Sequence, residues 1–171
     1  MSTHNSGSGP RSNAYSRNKF TNWSEYEPWW LEIQAVLKRF DGRIAKRPAF
    51  PKIIELKVLD GFIRPCSARE VEGQLMSCPA EFLKGLRAVF ILSGTTKQLK
   101  SYGNSTAFYG HYWRDCVFLH AYPFGWAALD WLRRFYLRDV LMHEIGHHVD
   151  THNVTREARE RFAKQFAQKH G

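Results

Sequence analysis

The sequence predicts an α+β fold, a small mixed sheet packed on helices within one domain, and three stretches carry that expectation. In the first, Leu129, Leu132, Tyr136 and Val140 recur at three- and four-residue steps and the rhythm continues through His143 and His147, the period of a long helix with one buried face. In the second, Ala88-Val89-Phe90-Ile91-Leu92 is a short, wholly apolar run bounded by Ser93-Gly94, which suits a central strand. In the third, Phe108 to Trp113 and Cys116 to Ala121 read as two strands around Arg114-Asp115 and can close into a hairpin.

The other elements follow in chain order. Residues 1–22 are polar and rich in Gly, Ser and Asn, with too little apolar surface to offset the entropy of ordering, so a disordered tail is expected before a domain spanning 23–171. Ser24 can cap a helix through about Phe40, with Glu27 at its third position and Trp30, Ile33, Leu37 and Phe40 at helical spacing; the Trp29-Trp30 pair reads as core. Asp41-Gly42, Pro48 and Pro51 break the chain, after which Ile53 to Leu59 has strand character ended by Gly61. Ser67 to Met76 and Pro79 to Leu86 read as short helices, the second opening on a proline whose missing N–H a first turn does not need. From Gly103 the chain turns to Gly, Asn, Ser and aromatics, and Pro123-Phe124-Gly125 separates the hairpin from the long helix. Thr151 to Thr155 offers capping residues that turn the chain into a last helix, where Ala158, Phe162 and Phe166 form an apolar stripe with Ala163 and Ala167 beside it. No internal repeat is present.

Composition bounds the function classes. At 171 residues and 43% apolar content the chain can bury one sizeable core and is short for two domains. The polar N-terminus has no apolar signal region and no run approaches the roughly 18 apolar residues of a membrane span, so a soluble, cytoplasmic protein without membrane partners is expected. Cys66, Cys78 and Cys116 are odd in number and form no C-x-x-C pair, which argues against a disulfide framework and a cysteine metal site; one disulfide with a spare thiol in an exported protein is the alternative. The net charge of +9 is spread, with its densest cluster at Lys38, Arg39, Arg43, Lys46, Arg47 and Lys52 and a further set along the last helix. No nucleic-acid module accompanies it, so a solvated basic surface is favoured over nucleic-acid binding.

The chemistry concentrates in His143-Glu144-Ile145-Gly146-His147, an H-E-x-x-H pattern on the long helix. Residues four apart share one helix face, so the two imidazoles can converge on one metal ion while Glu144 holds a metal-bound water as general base. Zinc suits those donors, polarises a carbonyl and lowers the pKa of bound water to roughly 7, which predicts a hydrolase. A histidine pair at the core-facing edge is satisfied by a metal, whereas a metal-free pair needs other buried partners. Gly146 costs about 1 kcal/mol relative to Ala inside a helix, and a strand or substrate passing close over that turn would explain it. A catalytic zinc needs a third protein ligand. Asp150, His152, Glu157 and Glu160 are near enough; Glu160 is favoured because it borders the small residues Ala163 and Ala167, whereas Glu157 points away from the stripe. Against this, Glu160 could be an exposed carboxylate paired with Lys164 one turn on.

Leu141 to Asp150 resembles the active-site helix of the zincin metallopeptidases, and Glu160-Arg161-Phe162-Ala163-Lys164-Gln165-Phe166 is similar to the downstream glutamate helix of gluzincins, with the Glu-x-Phe-Ala-x-x-Phe spacing of anthrax lethal factor-like peptidases. The resemblance covers about the last third of the chain. It implies a single zincin-like metallopeptidase domain, an endopeptidase whose zinc is held by His143, His147 and Glu160 and whose substrate is a protein or peptide. The order helix, strand, helix, strands, active-site helix is similar to the upper half of zincins. Lethal factor-like enzymes carry a tyrosine shortly before the ligand glutamate, and Thr151 to Arg159 holds none.

A donor for the tetrahedral intermediate is therefore sought among Tyr109, His111, Tyr112 and His152. A second metal site at His111, Cys116 and His120 is rejected, on the expectation that i and i+5 on a strand face opposite sides. A peptide substrate is expected along an edge strand near Gly103 to Trp113. The rival function is a basic binding protein, for nucleic acid or an acidic protein, on a zincin-like scaffold with a structural or vestigial metal.

Overall fold

The structure, a computed structural model, describes residues 23–93, 109–123 and 129–171. In chain order its elements are helix α1 (Trp23–Phe40), strands β1 (Lys52–Glu55) and β2 (Phe62–Ile63), helices α2 (Ala68–Met76) and α3 (Ala80–Leu83), strands β3 (Ala88–Ile91), β4 (Gly110–Trp113), β5 (Cys116–Leu119) and β6 (Tyr122–Pro123), and helices α4 (Leu129–Arg134), α5 (Met142–Val149) and α6 (Arg156–His170). The fold is mixed α and β. The expected tail at 1–22, the side chains of Trp29 and Trp30, and the stretch from Gly103 to Phe108 lie outside the described residues.

Every residue of β3 and β5 is buried, which requires cover on both faces of their sheet. That sheet has the order β1-β3-β5-β4, with β1, β3 and β5 parallel and β4 antiparallel at one edge. Alternation sorts its side chains. Val89, Ile91, Val117 and Leu119 face a core shared with Leu75, Leu86, Tyr136, Met142, Ile145 and Phe166. Ala88, Phe90, Cys116 and Phe118 face the other way, onto Ile33, Val36 and Leu37 of α1. Phe90 and Phe118 stack at 5.1 Å between ring centroids and join the two central strands on that face.

Several boundaries differ from those expected. Helix α1 starts at Trp23, so Ser24 lies inside it and does not cap it. The strand expected over Ile53 to Leu59 ends at Glu55; the chain bends through Gly61, whose φ of 84° needs glycine, and Phe62–Ile63 pairs instead with Tyr122–Pro123. The helix expected from Pro79 to Leu86 is only Ala80–Leu83, with Pro79 as its cap and Gly85 at φ 87° turning the chain into β3. The hairpin forms as expected, its Arg114-Asp115 turn holding both residues at positive φ. Arg114 lays its guanidinium over the Trp113 ring at 4.6 Å, a local contact that favours this geometry.

Ser67 caps α2 with a reciprocal box: its Oγ accepts from the Glu70 N–H at 3.3 Å, while the Glu70 carboxylate accepts from the Ser67 N–H at 2.8 Å. The Ser67 N–H and, after it, the Ser67 hydroxyl hold the Glu70 carboxyl below its ordinary range, and Ser67→Ala loses the hydroxyl's share. Ser67→Ala should therefore lower stability by about 1 kcal/mol, read as a shift of the urea midpoint at constant slope. A group whose pKa is lowered on folding stabilises above its unfolded pKa and loses that contribution as pH falls through the lowered value. The gap between wild type and variant should then shrink in acid.

The long helix is not uniform. Phe135–Leu141 is a π-helical stretch linking α4 to α5, and its ends keep right-handed helical backbone, so the rod continues while its facing advances. Such stretches are rare and cluster at functional sites. Among the described residues no helix is long and apolar enough to cross a membrane.

Candidate metal centre

Three elements meet at the H-E-x-x-H turn. Helix α5 ends where Asp150 leaves helical backbone; its Oδ1 accepts from the Asn153 N–H at 3.0 Å and Nδ2 at 2.9 Å, which turns the chain back. Thr155 then caps α6 by accepting from the Ala158 N–H at 3.3 Å. The returning helix packs on α5 at closest range over Gly146, where a Cβ would lie 2.8 Å from the Ala163 Cα and 3.3 Å from its Cβ. The residue passing over the glycine is thus a helix backbone, not the strand or substrate expected from sequence. The buried side of α6 is Ala163, Phe166 and Ala167, so the stripe is centred nearer the alanines than Ala158 and Phe162 had implied.

Gly146→Ala sets a gain of about 1 kcal/mol in helix propensity against an overpacking cost of about 1–3 kcal/mol. The contact is with backbone, which cannot swing aside, so the net expected change is lower stability and weaker zinc binding. Parallel urea and zinc titrations check both.

This approach carries Glu160 to the histidines. His143 Nε2 and His147 Nε2 lie 3.1 Å apart, and Glu160 reaches them at 3.4 Å and 3.6 Å. A tetrahedral zinc with ligands about 2.0–2.1 Å away spaces them about 3.3–3.4 Å from one another. The donors suit that ion in kind. Because Glu160 meets His143 through Oε2 and His147 through Oε1, one atom from each residue lies within 4.8 Å of the others, so the set would close slightly around an ion. Burial, with His143 beside it, pushes the His147 imidazole down to about 4. The ring is therefore neutral near neutral pH, as a metal ligand must be, and its approach to Glu160 is not an ion pair. Among the described residues this is the group of three or more such side chains that could hold a metal ion. Glu157 is exposed on the first turn of α6, Asp150 is engaged in the turn, and His152 is exposed.

Glu144 lies beside the cluster and is 3% exposed. The Tyr112 backbone N–H donates to its carboxylate, while its Oε2 is buried without a hydrogen-bond partner. Burial pushes this carboxyl up to about 7, and His143 opposes the rise. Gly110 makes the arrangement possible: a Cβ there would lie 2.6 Å from Val140 Cγ1 and 3.0 Å from Glu144 Cγ. Neither Gly110 nor the Tyr112 N–H was singled out from sequence, although a glycine inside a strand pattern signals close backbone approach.

The four candidate oxyanion donors separate. Tyr112 lines a cleft of about 550 Å³ that His147 also lines, and its hydroxyl sits 2.9 Å from Asp115 Oδ1 and 3.0 Å from His148 Nδ1. Burial pushes that phenol up, so it keeps its proton. His148 Nε2 meets the Lys84 carbonyl at 3.1 Å and donates to it. Tyr109 instead packs edge-on against Phe135 and Tyr136. His111 pairs in register with Phe118 and so faces α1, its ring 5.6 Å from His120. Burial pushes it down to about 3.

His111 and Cys116, expected on opposite sides of the sheet, lie on the same side. Counting through the hairpin as though it were one strand gives opposite sides, whereas Trp113 pairs with Cys116 across the turn, so His111, Cys116 and His120 share the α1 face. They still form no metal-holding group among the described residues. No protein-family model, curated protein or solved structure matches this chain.

Proposed function

We propose that the chain is a zinc-dependent endopeptidase with a zincin-like fold, acting on proteins or peptides. The observation that carries the proposal is the convergence of His143, His147 and Glu160, one ligand atom from each within 4.8 Å of the others, beside the buried carboxylate of Glu144. His143, His147 and Glu160 would hold the ion, and zinc in such a site supplies a Lewis acid that polarises a carbonyl and acidifies water. The remaining work falls to the chain. The Tyr112 N–H fixes the Glu144 carboxylate and leaves Oε2 to take a proton from water and pass it to the leaving amine. The Tyr112 hydroxyl keeps its proton and opens on the cleft, and it becomes the favoured donor to developing negative charge once it turns from Asp115 Oδ1, which accepts that proton in the resting chain. Strand β4 lies at the sheet edge next to the centre, where an extended peptide can add as a further strand.

Three protein donors among the described residues would leave a fourth position open, whereas a structural zinc site is closed by four. That favours the enzyme over the basic binding protein. The test is zinc analysis of the purified chain together with proteome-wide cleavage mapping, with and without chelator. One zinc per chain and chelator-sensitive new peptide termini are expected. Salt-sensitive nucleic-acid binding that ignores the chelator, without such termini, would favour the rival.

A further inference from the structure

The cleft beside the metal centre has a chemistry that the H-E-x-x-H motif does not explain. It shares His147 with the centre, and its other walls carry Lys46, Arg47, Lys84 and Arg159. None of these four cations is ion-paired among the described residues, so each is available to a ligand. Arg159 precedes the ligand Glu160 on α6, and its Nε is buried with no hydrogen-bond partner. A buried guanidinium donor left unmade costs on the order of 1–3 kcal/mol or more, so an acceptor is wanted there. The cleft also holds three carboxylates. Asp115 accepts from the Tyr112 hydroxyl and Glu81 is exposed, while Asp150 uses Oδ1 in the turn and keeps Oδ2 buried and unpartnered.

We infer that this cleft is a substrate subsite that binds a peptide carboxylate on Arg159, with Asp150 Oδ2 accepting a neighbouring peptide N–H. The inference rests on the peptidase reading and names its substrate class. Two buried atoms of opposite hydrogen-bonding sense on the cleft's lining residues, a donor Nε–H and an acceptor Oδ2, suit a ligand that presents both an acid and an amide. The unpaired cations around the cleft add attraction for negative charge. A phosphate dianion satisfies Arg159 but brings more negative charge against Asp150 than a carboxylate does, and it offers no peptide N–H to Oδ2. The carboxylate has two sources, an Asp or Glu side chain or the free C-terminus of the peptide, and the second would make the chain a carboxypeptidase.

The test begins with binding, which does not depend on turnover. Zinc-loaded protein is titrated calorimetrically with succinic monohydroxamic acid and with butyrohydroxamic acid, which differ in one carboxylate. The acid is expected to bind about tenfold tighter, the order of one charge-assisted hydrogen bond. In Arg159→Gln the ratio should fall to near unity with zinc content unchanged, and Lys84→Gln, at an exposed position, should reduce it in part. Equal affinity in the wild type, a ratio indifferent to both variants, or displacement of the acid by inorganic phosphate at comparable concentration overturns the subsite. Two peptide arms then identify the source: Glu against Gln within amidated peptides, and free against amidated C-termini in neutral ones. A preference in either arm supports the inference. Cleavage indifferent to both overturns it and leaves the peptidase reading standing, whereas failure of both hydroxamates to bind overturns that reading and the subsite together.

Discussion

Zinc-loaded Glu144→Gln is expected to keep its metal and fold and to lose peptide hydrolysis by about 10²–10⁴-fold, the usual contribution of a positioned general base. The amide has nearly the shape of the carboxylate, and its oxygen can still accept from the Tyr112 N–H, so the local packing against Gly110 is preserved. What it lacks is a site for the proton. Burial of an ionisable carboxyl also carries a desolvation cost, visible in the rise to about 7. The variant should therefore be no less stable than the wild type and can be more so, a trade expected where function places charge in the interior. The measurement is a matched pair of zinc analyses, urea curves and single-peptide turnover assays. Undiminished turnover in a fully metal-loaded variant places the base elsewhere.

Much of the centre was legible because its spacing is local. Two histidines four apart on a helix share a face wherever that helix lies, and Gly146 signalled a close neighbour because only an approach explains its cost. Glu160 was favoured over Glu157 on the same ground, since a ligand helix must dock through its small residues, and Ala163 does lie against Gly146. The parts that were not legible depend on contacts distant in sequence. The rhythm from Leu129 to His147 assumed one helical period, whereas the π-helical stretch Phe135–Leu141 changes the facing within it; propensity carries no clear mark of that. The side chains of Leu129 and Leu132, which began that rhythm, lie outside the described residues. The hold of β4 on Glu144 needs the hairpin, its register and Gly110 at once, and the hairpin alone was expected. Parity across the turn went wrong because side chains alternate along a strand but match across a pair.

The proposed third ligand gives the sharpest contrast between two nearly identical changes. Glu160→Ala should weaken zinc binding by roughly a hundredfold, taking an apparent energy of about 10–16 kcal/mol for a four-ligand zinc site as on the order of 3 kcal/mol per ligand. Glu157→Ala should leave it within about twofold, since that carboxylate is exposed on the first turn of α6 and acts on the ion only through water. Stability of the zinc-free chain separates the two further. Removing Glu160 takes away a partly exposed carboxylate that contributes little to packing, whereas removing Glu157 deletes a favourable negative charge at a helix N-terminus, worth about 0.3–1 kcal/mol at low salt. The zinc-free Glu157→Ala protein should thus unfold slightly earlier while its zinc titration is unchanged, and Glu160→Ala should reverse that pattern. If Glu157→Ala proves to be the variant that loses zinc, α6 is turned about its axis from the arrangement that sets Ala163 over Gly146, and Gly146→Ala should then be harmless. If neither carboxylate matters, Asp150 and His152 are the remaining donors, and the turn that Asp150 organises would have to open to let either reach the ion.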